Sequence, residues 1–158
     1  KILINLLGCI LIYLLLTILI CWVSLSDENI QRNIFLLIIL ICISSDIGGY
    51  VFGKVFKGKK LSKISPNKTY SGLFGSYILS IFLVYSIYQR YYSFDYLFLF
   101  TILISTVSQS GDLFISYIKR KAKIKDSSKI IPGHGGLLDR FDGLIFAIPL
   151  GILLFYFL

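Results

Sequence analysis

The polar positions of this chain gather into four segments that part five long apolar runs. The runs are Ile2 to Leu25, Ile34 to about Val51, Tyr70 to Tyr88, Tyr96 to Ile118, and Leu144 to Leu158. About 20 apolar residues rising ~1.5 Å each cross a ~30 Å hydrocarbon core, so the runs read as membrane-spanning helices. The last is short and is expected to stand with little tilt. Trp22 lies near the far end of the first run, where an indole prefers the membrane interface.

The polar segments differ sharply in charge. Gly53 to Thr69 holds six lysines and no acid, and Lys119 to Arg140 holds seven Lys and Arg residues, together thirteen of the sixteen in the chain. The other two links, Ser26 to Asn33 and Gln89 to Asp95, carry only Arg32 and Arg90 against Asp27, Glu28 and Asp95. Five spans of alternating direction put both basic loops on one face, together with Lys1, and the excess of positive charge makes that face cytoplasmic.

Composition fits this pattern. The chain is 158 residues long and 56% hydrophobic, with a mean hydropathy of +0.83, 13 Phe and 11 Tyr. That is too apolar for a water-soluble domain of this size. The expectation is an all-α polytopic membrane protein of about five helices with two basic cytoplasmic loops, a single membrane domain over residues 1–158. The chain opens inside an apolar run without methionine, which points to a missing N-terminus. A cleaved signal peptide is the competing reading, but the run is about twice the usual signal length and lacks a small-residue cleavage site.

Chemistry concentrates between Gly111 and Asp142. This stretch sets Asp112, Lys119, Arg120, Lys125, Asp126, His134, Asp139, Arg140 and Asp142 around a Pro-Gly-His-Gly-Gly turn. Carboxylates suit a hard cation, Lys and Arg suit phosphate oxygens, and glycines let backbone N–H groups approach a ligand. Asp46 and Asp112 are expected in the last turns of apolar spans, where a lone carboxylate costs about 3 kcal/mol even on lenient scales. Each therefore needs a partner: a metal, a lysine, or the headgroup region. Six lysines beside a membrane also attract anionic lipid, at about 1 kcal/mol per residue. Ser65-Pro66-Asn67-Lys68-Thr69 ahead of a helix is more specific than such attraction requires, and a Thr cap with free N–H groups suits an anion. Cys9, Cys21 and Cys42 lie in apolar runs without metal spacing and read as buried small residues.

The order Ser116, Ile118, Lys119-Arg120, Lys125-Asp126, Pro132-Gly133-His134-Gly135-Gly136 and Asp139-Arg140-Phe141-Asp142 resembles the C-terminal signature of the phosphatidate cytidylyltransferases, or CDP-diglyceride synthases. A second block is also similar: Asp46, Gly49-Tyr50, Gly53-Lys54, Lys60-Leu61, Ile64-Ser65-Pro66, Lys68-Thr69 and Gly72, with Gly49 where the family more often has Ala. The resemblance covers about Asp46 to Asp142 and corresponds to the C-terminal catalytic part of the family.

The resemblance implies attack by a phosphatidate phosphate on the α-phosphorus of CTP, giving CDP-diacylglycerol and pyrophosphate. It implies Mg²⁺ held by Asp112, Asp139 and Asp142, with a second cation left open. Catalytic roles would fall to Asp112, Lys119, Arg120, Asp139 and His134, the last donating to the departing pyrophosphate or fixing an aspartate rather than merely packing the turn. Substrate would be bound by Asp46, Lys54, Ser65, Pro66, Lys68, Thr69, Ser116, Lys125, Asp126, Gly135, Gly136 and Arg140. The implied partners are CTP, phosphatidate and the bilayer, with a homodimer open and no nucleic acid. The implied place is a bacterial inner membrane, with the site on the cytoplasmic face.

Other functions share some of these features. A CDP-archaeol synthase or a polyprenol kinase would share the CTP site and differ in lipid. A small channel or transporter would also explain intramembrane acids, but would place polar residues near the middle of several spans. A membrane anchor would leave the dense signature unexplained.

Overall fold

The computed structural model describes residues 28–61, 65, 68–122 and 138–157. The first apolar run lies outside the described residues, as do Pro66, Lys125, Asp126, His134, Gly135 and Gly136. Four helices are described: α1 (Glu28–Phe56), α2 (Tyr70–Tyr88), α3 (Phe94–Lys121) and α4 (Leu138–Phe157). Arg32–Phe56, Tyr70–Tyr88 and Asp95–Lys121 are long and apolar enough to cross a membrane, while the apolar part of α4, Asp142–Phe155, is shorter. The protein is thus an all-α, polytopic integral membrane protein. Residues 2–25 add a further apolar run to the sequence.

The third run has the bounds its hydropathy predicts, and three helices run past theirs. Helix α1 takes in the end of the Ser26–Asn33 link and continues through Gly53-Lys54, because no proline interrupts the backbone there. It stops where Lys57 enters the left-handed region at φ 42°, its N–H still reaching the Gly53 carbonyl at 3.2 Å. Helix α3 runs on to Lys121, so Lys119 and Arg120 are helical rather than in a loop. Helix α4 begins at Leu138, which corrects the placement of Asp139 and Arg140 in a loop. Asp46 and Asp112 consequently stand not in the last turns of their helices but more than two turns back, about 13–15 Å from the helix ends.

Successive helices run antiparallel. Ser80 of α2 reaches the Ile41 carbonyl of α1, and Tyr77 of α2 pairs with Thr106 of α3 at 2.9 Å. Tyr96 at the start of α3 meets Phe155 at the end of α4. Alternating direction brings the ends of α1 and α3 and the starts of α2 and α4 to one side.

Three layers follow one another along the bundle. Ile34, Leu37, Ile38 and Ile41, at helical spacing on α1, pack with Leu97, Phe100 and Ile104 of α3, Val84 of α2 and Ala147 and Ile152 of α4 into an apolar core. Beside it lies an aromatic group, Tyr88, Tyr92, Tyr96 and Phe155, where the α2–α3 link turns the chain. Next comes a layer of buried hydroxyls, Ser44, Ser45, Ser76, Ser80, Ser105 and Ser108. Several satisfy themselves on their own helix, as Ser44 does on the Leu40 carbonyl at 2.6 Å and Ser80 on the Ser76 carbonyl at 2.7 Å. Beyond this layer come the charged groups Asp46, Lys68, Asp112 and Asp142.

Helices α1 and α2 meet backbone to backbone at this level. A Cβ on Gly48 would stand 2.6 Å from the Gly75 carbonyl oxygen, and one on Gly72 would stand 2.6 Å from the Gly49 carbonyl oxygen. Small residues allow such close crossing where lipid supplies no hydrophobic drive between helices.

Candidate active site

The basic loop between α1 and α2 is folded back on itself. Lys60 and Thr69 form an antiparallel bridge, the Leu61 N–H donates to the Lys68 carbonyl at 2.7 Å, and the Tyr70 N–H donates to Lys59 at 3.0 Å. Thr69 then caps α2, its hydroxyl accepting from the Gly72 N–H at 3.1 Å. That N–H is therefore already taken by the cap rather than offered to an anion. This pinch carries Lys68 over α3, where its ammonium forms an ion pair with Asp112.

A pocket of about 380 Å³ lies between this loop and the four helices. Its charged lining is Asp46 of α1, Lys68, Asp112 of α3 and Asp142 of α4. Asp142 is buried and pairs with Lys119 at 3.5 Å. Asp46 has no ion-pair partner among the described residues, and both it and Asp142 are close enough to Asp112 for the charges to interact. Three carboxylates against two lysines leave the pocket with an unmatched acid. Such an arrangement favours a further cation.

The model of the cytidylyltransferase family matches residues 2–158 of this chain. The chain belongs to this family. A phosphatidate cytidylyltransferase of Rickettsia prowazekii is 44% identical over 137 residues, covering 80% of this chain and 60% of that protein. One of Staphylococcus epidermidis is 45% identical over 116 residues, 70% of this chain and 44% of that protein. One of Bacillus subtilis is 42% identical over 111 residues, 67% of this chain and 41% of that protein. The chain thus spans about 60% or less of the length of these curated relatives.

Of the residues singled out in this cytidylyltransferase-family sequence, Asp46, Ser65, Lys68, Thr69, Asp112 and Asp142 line the one pocket. Lys119 touches it through Asp142. Lys54 turns to the Tyr50 hydroxyl at 3.3 Å and does not line it, nor do Ser116 and the exposed Arg120. Asp139 and Arg140 are placed on the first turn of α4, their side chains outside the described residues. Sequence reading missed Ser45, Ser76 and Gln109, which belong to the uncharged part of the lining. The available signal was a glutamine and serines recurring within runs that should be wholly apolar.

Among the described residues, no three His, Cys, Asp or Glu side chains are clustered tightly enough to hold a metal by themselves. The donor set nevertheless fits Mg²⁺, a hard ion that takes one or two carboxylates and completes its shell with phosphates and water.

Proposed function

We infer that this protein is a phosphatidate cytidylyltransferase, converting CTP and phosphatidate into CDP-diacylglycerol and pyrophosphate on the cytoplasmic face of a bacterial inner membrane. The observation that carries this reading is the meeting of Lys68, from a loop, with Asp112, from a membrane helix, in one pocket that also holds Asp46 and Asp142. Both substrates are anions, so a site that unites them needs cationic groups beside acids that can hold a metal.

A phosphatidate phosphate oxygen forms the new bond to the α-phosphorus of CTP, and the bond from that phosphorus to the bridging oxygen breaks, releasing pyrophosphate with its electron pair. No protein nucleophile is required, because the lipid phosphate is already ionised at neutral pH. Lys68 and Lys119 would neutralise phosphate oxygens as charge builds in the transition state. Arg120, Lys125 and Arg140 would add to that charge, and His134 would donate to the leaving pyrophosphate. Asp46, Asp112 and Asp142, with Asp139 from the same turn of α4, would hold Mg²⁺, which supplies further charge neutralisation at the phosphates when bound. The lipid would enter sideways between the helices and the nucleotide from the cytoplasm.

The test is to incubate membranes bearing the protein with labelled CTP, phosphatidate and Mg²⁺ and to look for a CDP-lipid. Formation that needs both phosphatidate and a divalent cation supports the reading. Transfer of label to a polyprenol from γ-labelled CTP, with none to phosphatidate from α-labelled CTP, would replace it with a CTP-dependent polyprenol kinase.

A further inference from the structure

Gln109 of α3 sits at the junction of three helices. Its carboxamide nitrogen donates to Ser76 of α2 at 2.6 Å, to Ser105 of α3 at 3.2 Å and to Ser45 of α1 at 3.4 Å. Ser45 and Ser105 are themselves 3.0 Å apart. The orientation of the amide is not arbitrary. Ser76 donates its only hydroxyl hydrogen to the Leu73 carbonyl at 2.7 Å, so toward Gln109 it has lone pairs alone to offer. The glutamine must meet it with N–H, and its carboxamide oxygen is turned the other way.

That oxygen has no hydrogen-bond partner among the described residues, although Gln109 lines the pocket. The pocket therefore presents a fixed, uncharged acceptor. It stands three residues before Asp112 on α3, about 4.5 Å along the helix from it, beside Ser45, the neighbour of Asp46. Charged groups and an uncharged acceptor thus share the lining of one cavity.

The two substrates of the proposed reaction differ in what they could give such an acceptor. The glycerol esters of a phosphatidate carry only acceptors. A cytidine nucleotide carries an exocyclic amine on the base and hydroxyls on the sugar. We propose that Gln109 is a specificity-determining residue whose carboxamide oxygen accepts a hydrogen bond from an N–H or O–H donor of the nucleoside, held in that orientation by Ser76. This rests on the cytidylyltransferase reading. A site built to pair with such a donor rejects the analogue that lacks it far more strongly than an apolar site would, because its acceptor is then left unpaired.

The experiment measures CDP-lipid formation, as kcat/KM, by the protein in membranes with CTP, UTP, 2′-deoxyCTP and 3′-deoxyCTP. UTP replaces the amine with a carbonyl, and each deoxy analogue removes one hydroxyl, so the arms identify the donor. The wild-type protein is expected to disfavour one of these analogues, and Gln109→Leu to lower the ratio of CTP to that analogue by about 10-fold or more. Ser76→Ala removes the acceptor that fixes the amide and should lower the same ratio while the carboxamide itself stays in place. It decides the matter if Gln109→Leu does not fold. Equal loss with all four nucleotides in both variants would overturn the proposal and leave Gln109 as a tie between helices. A shift in Mg²⁺ requirement with unchanged ratios would overturn it in favour of service to the cation. A wild-type protein that makes no CDP-lipid from CTP would instead overturn the parent reading.

Discussion

Lys68 and Asp112 are 44 positions apart in sequence and form an ion pair at the pocket, each with about a third or less of its side chain exposed. The pairing joins a basic loop to an acid embedded in an apolar helix. It answers the question of how Asp112 is tolerated there, and it brings together a cation and a carboxylate to which the proposed reaction gives phosphate and Mg²⁺ as ligands. Because both partners remain partly in contact with solvent, the pair contributes less than about 1 kcal/mol to stability. Asp112→Asn is therefore expected to leave the thermal midpoint of the protein within a few degrees while abolishing CDP-lipid formation. Lys68→Ala should reduce kcat/KM by about 100-fold, a loss that raised Mg²⁺ only partly restores. Full activity of Asp112→Asn at ordinary Mg²⁺, in a radiolabelled CTP assay, would remove this residue from the site.

Asp142 should behave differently. It and Lys119 are both largely buried, at 15% side-chain exposure for Lys119 and 9% for Asp142, so water screens their pairing less than that of Lys68 with Asp112. Asp142→Ala is expected to cost about 3 kcal/mol in stability as well as activity. Thermal unfolding of the detergent-solubilised variant, followed beside its turnover, checks both. An unchanged midpoint would mean that the pair contributes nothing.

The close crossing of α1 and α2 gives a third expectation. A methyl on Gly48 meets backbone, the Gly75 oxygen and the Ser76 Cα, neither of which can swing aside as a flexible side chain would. Gly48→Ala should force the helices apart at a cost of about 1–3 kcal/mol. The neighbouring Asp46 would move away from the pocket, and activity should fall with stability. Gly58→Ala is the contrast: there the nearest atom is the Ser71 hydroxyl oxygen at 2.8 Å, the end of a side chain, and the nearest backbone atom is 3.3 Å away. Its effect on activity and melting should be the smaller of the two.

Orientation in the membrane can be read by labelling. With both basic loops on the cytoplasmic face, a cysteine at the exposed position Lys59 should react with a membrane-impermeant maleimide only after the membrane is opened. One at the exposed Arg90, on the turn at the other end of α2, should react in intact cells. Reaction of both from the same side is incompatible with an antiparallel pair of spans.

Much of this architecture was legible along the chain because hydropathy acts locally. Tyr70–Tyr88 has the bounds of its apolar run, since Thr69 caps its start and Gln89 begins a polar turn. The ends of α1, α3 and α4 were not legible in the same way. A helix leaving the hydrocarbon continues until its backbone finds other partners, and polarity alone does not mark that point. At α1 the stop is made by Lys57 and the Gly53 carbonyl, within reach of the loop that returns to Thr69.

The sequence by itself determined that this is a helical membrane protein, that its basic loops share a face, and that Asp46, Lys68, Asp112 and Asp142 are chemically out of place in or beside apolar runs. These follow from the cost of burying charge, which depends on residue type and not on neighbours. Only the tertiary structure decided who answers whom: Lys68 pairs with Asp112, Lys119 with Asp142, and Gln109 gathers serines from three helices. Side-chain pairing is fixed by helix rotation and by how closely the backbones cross at Gly48 and Gly72, and both are properties of packed helices rather than of any one of them.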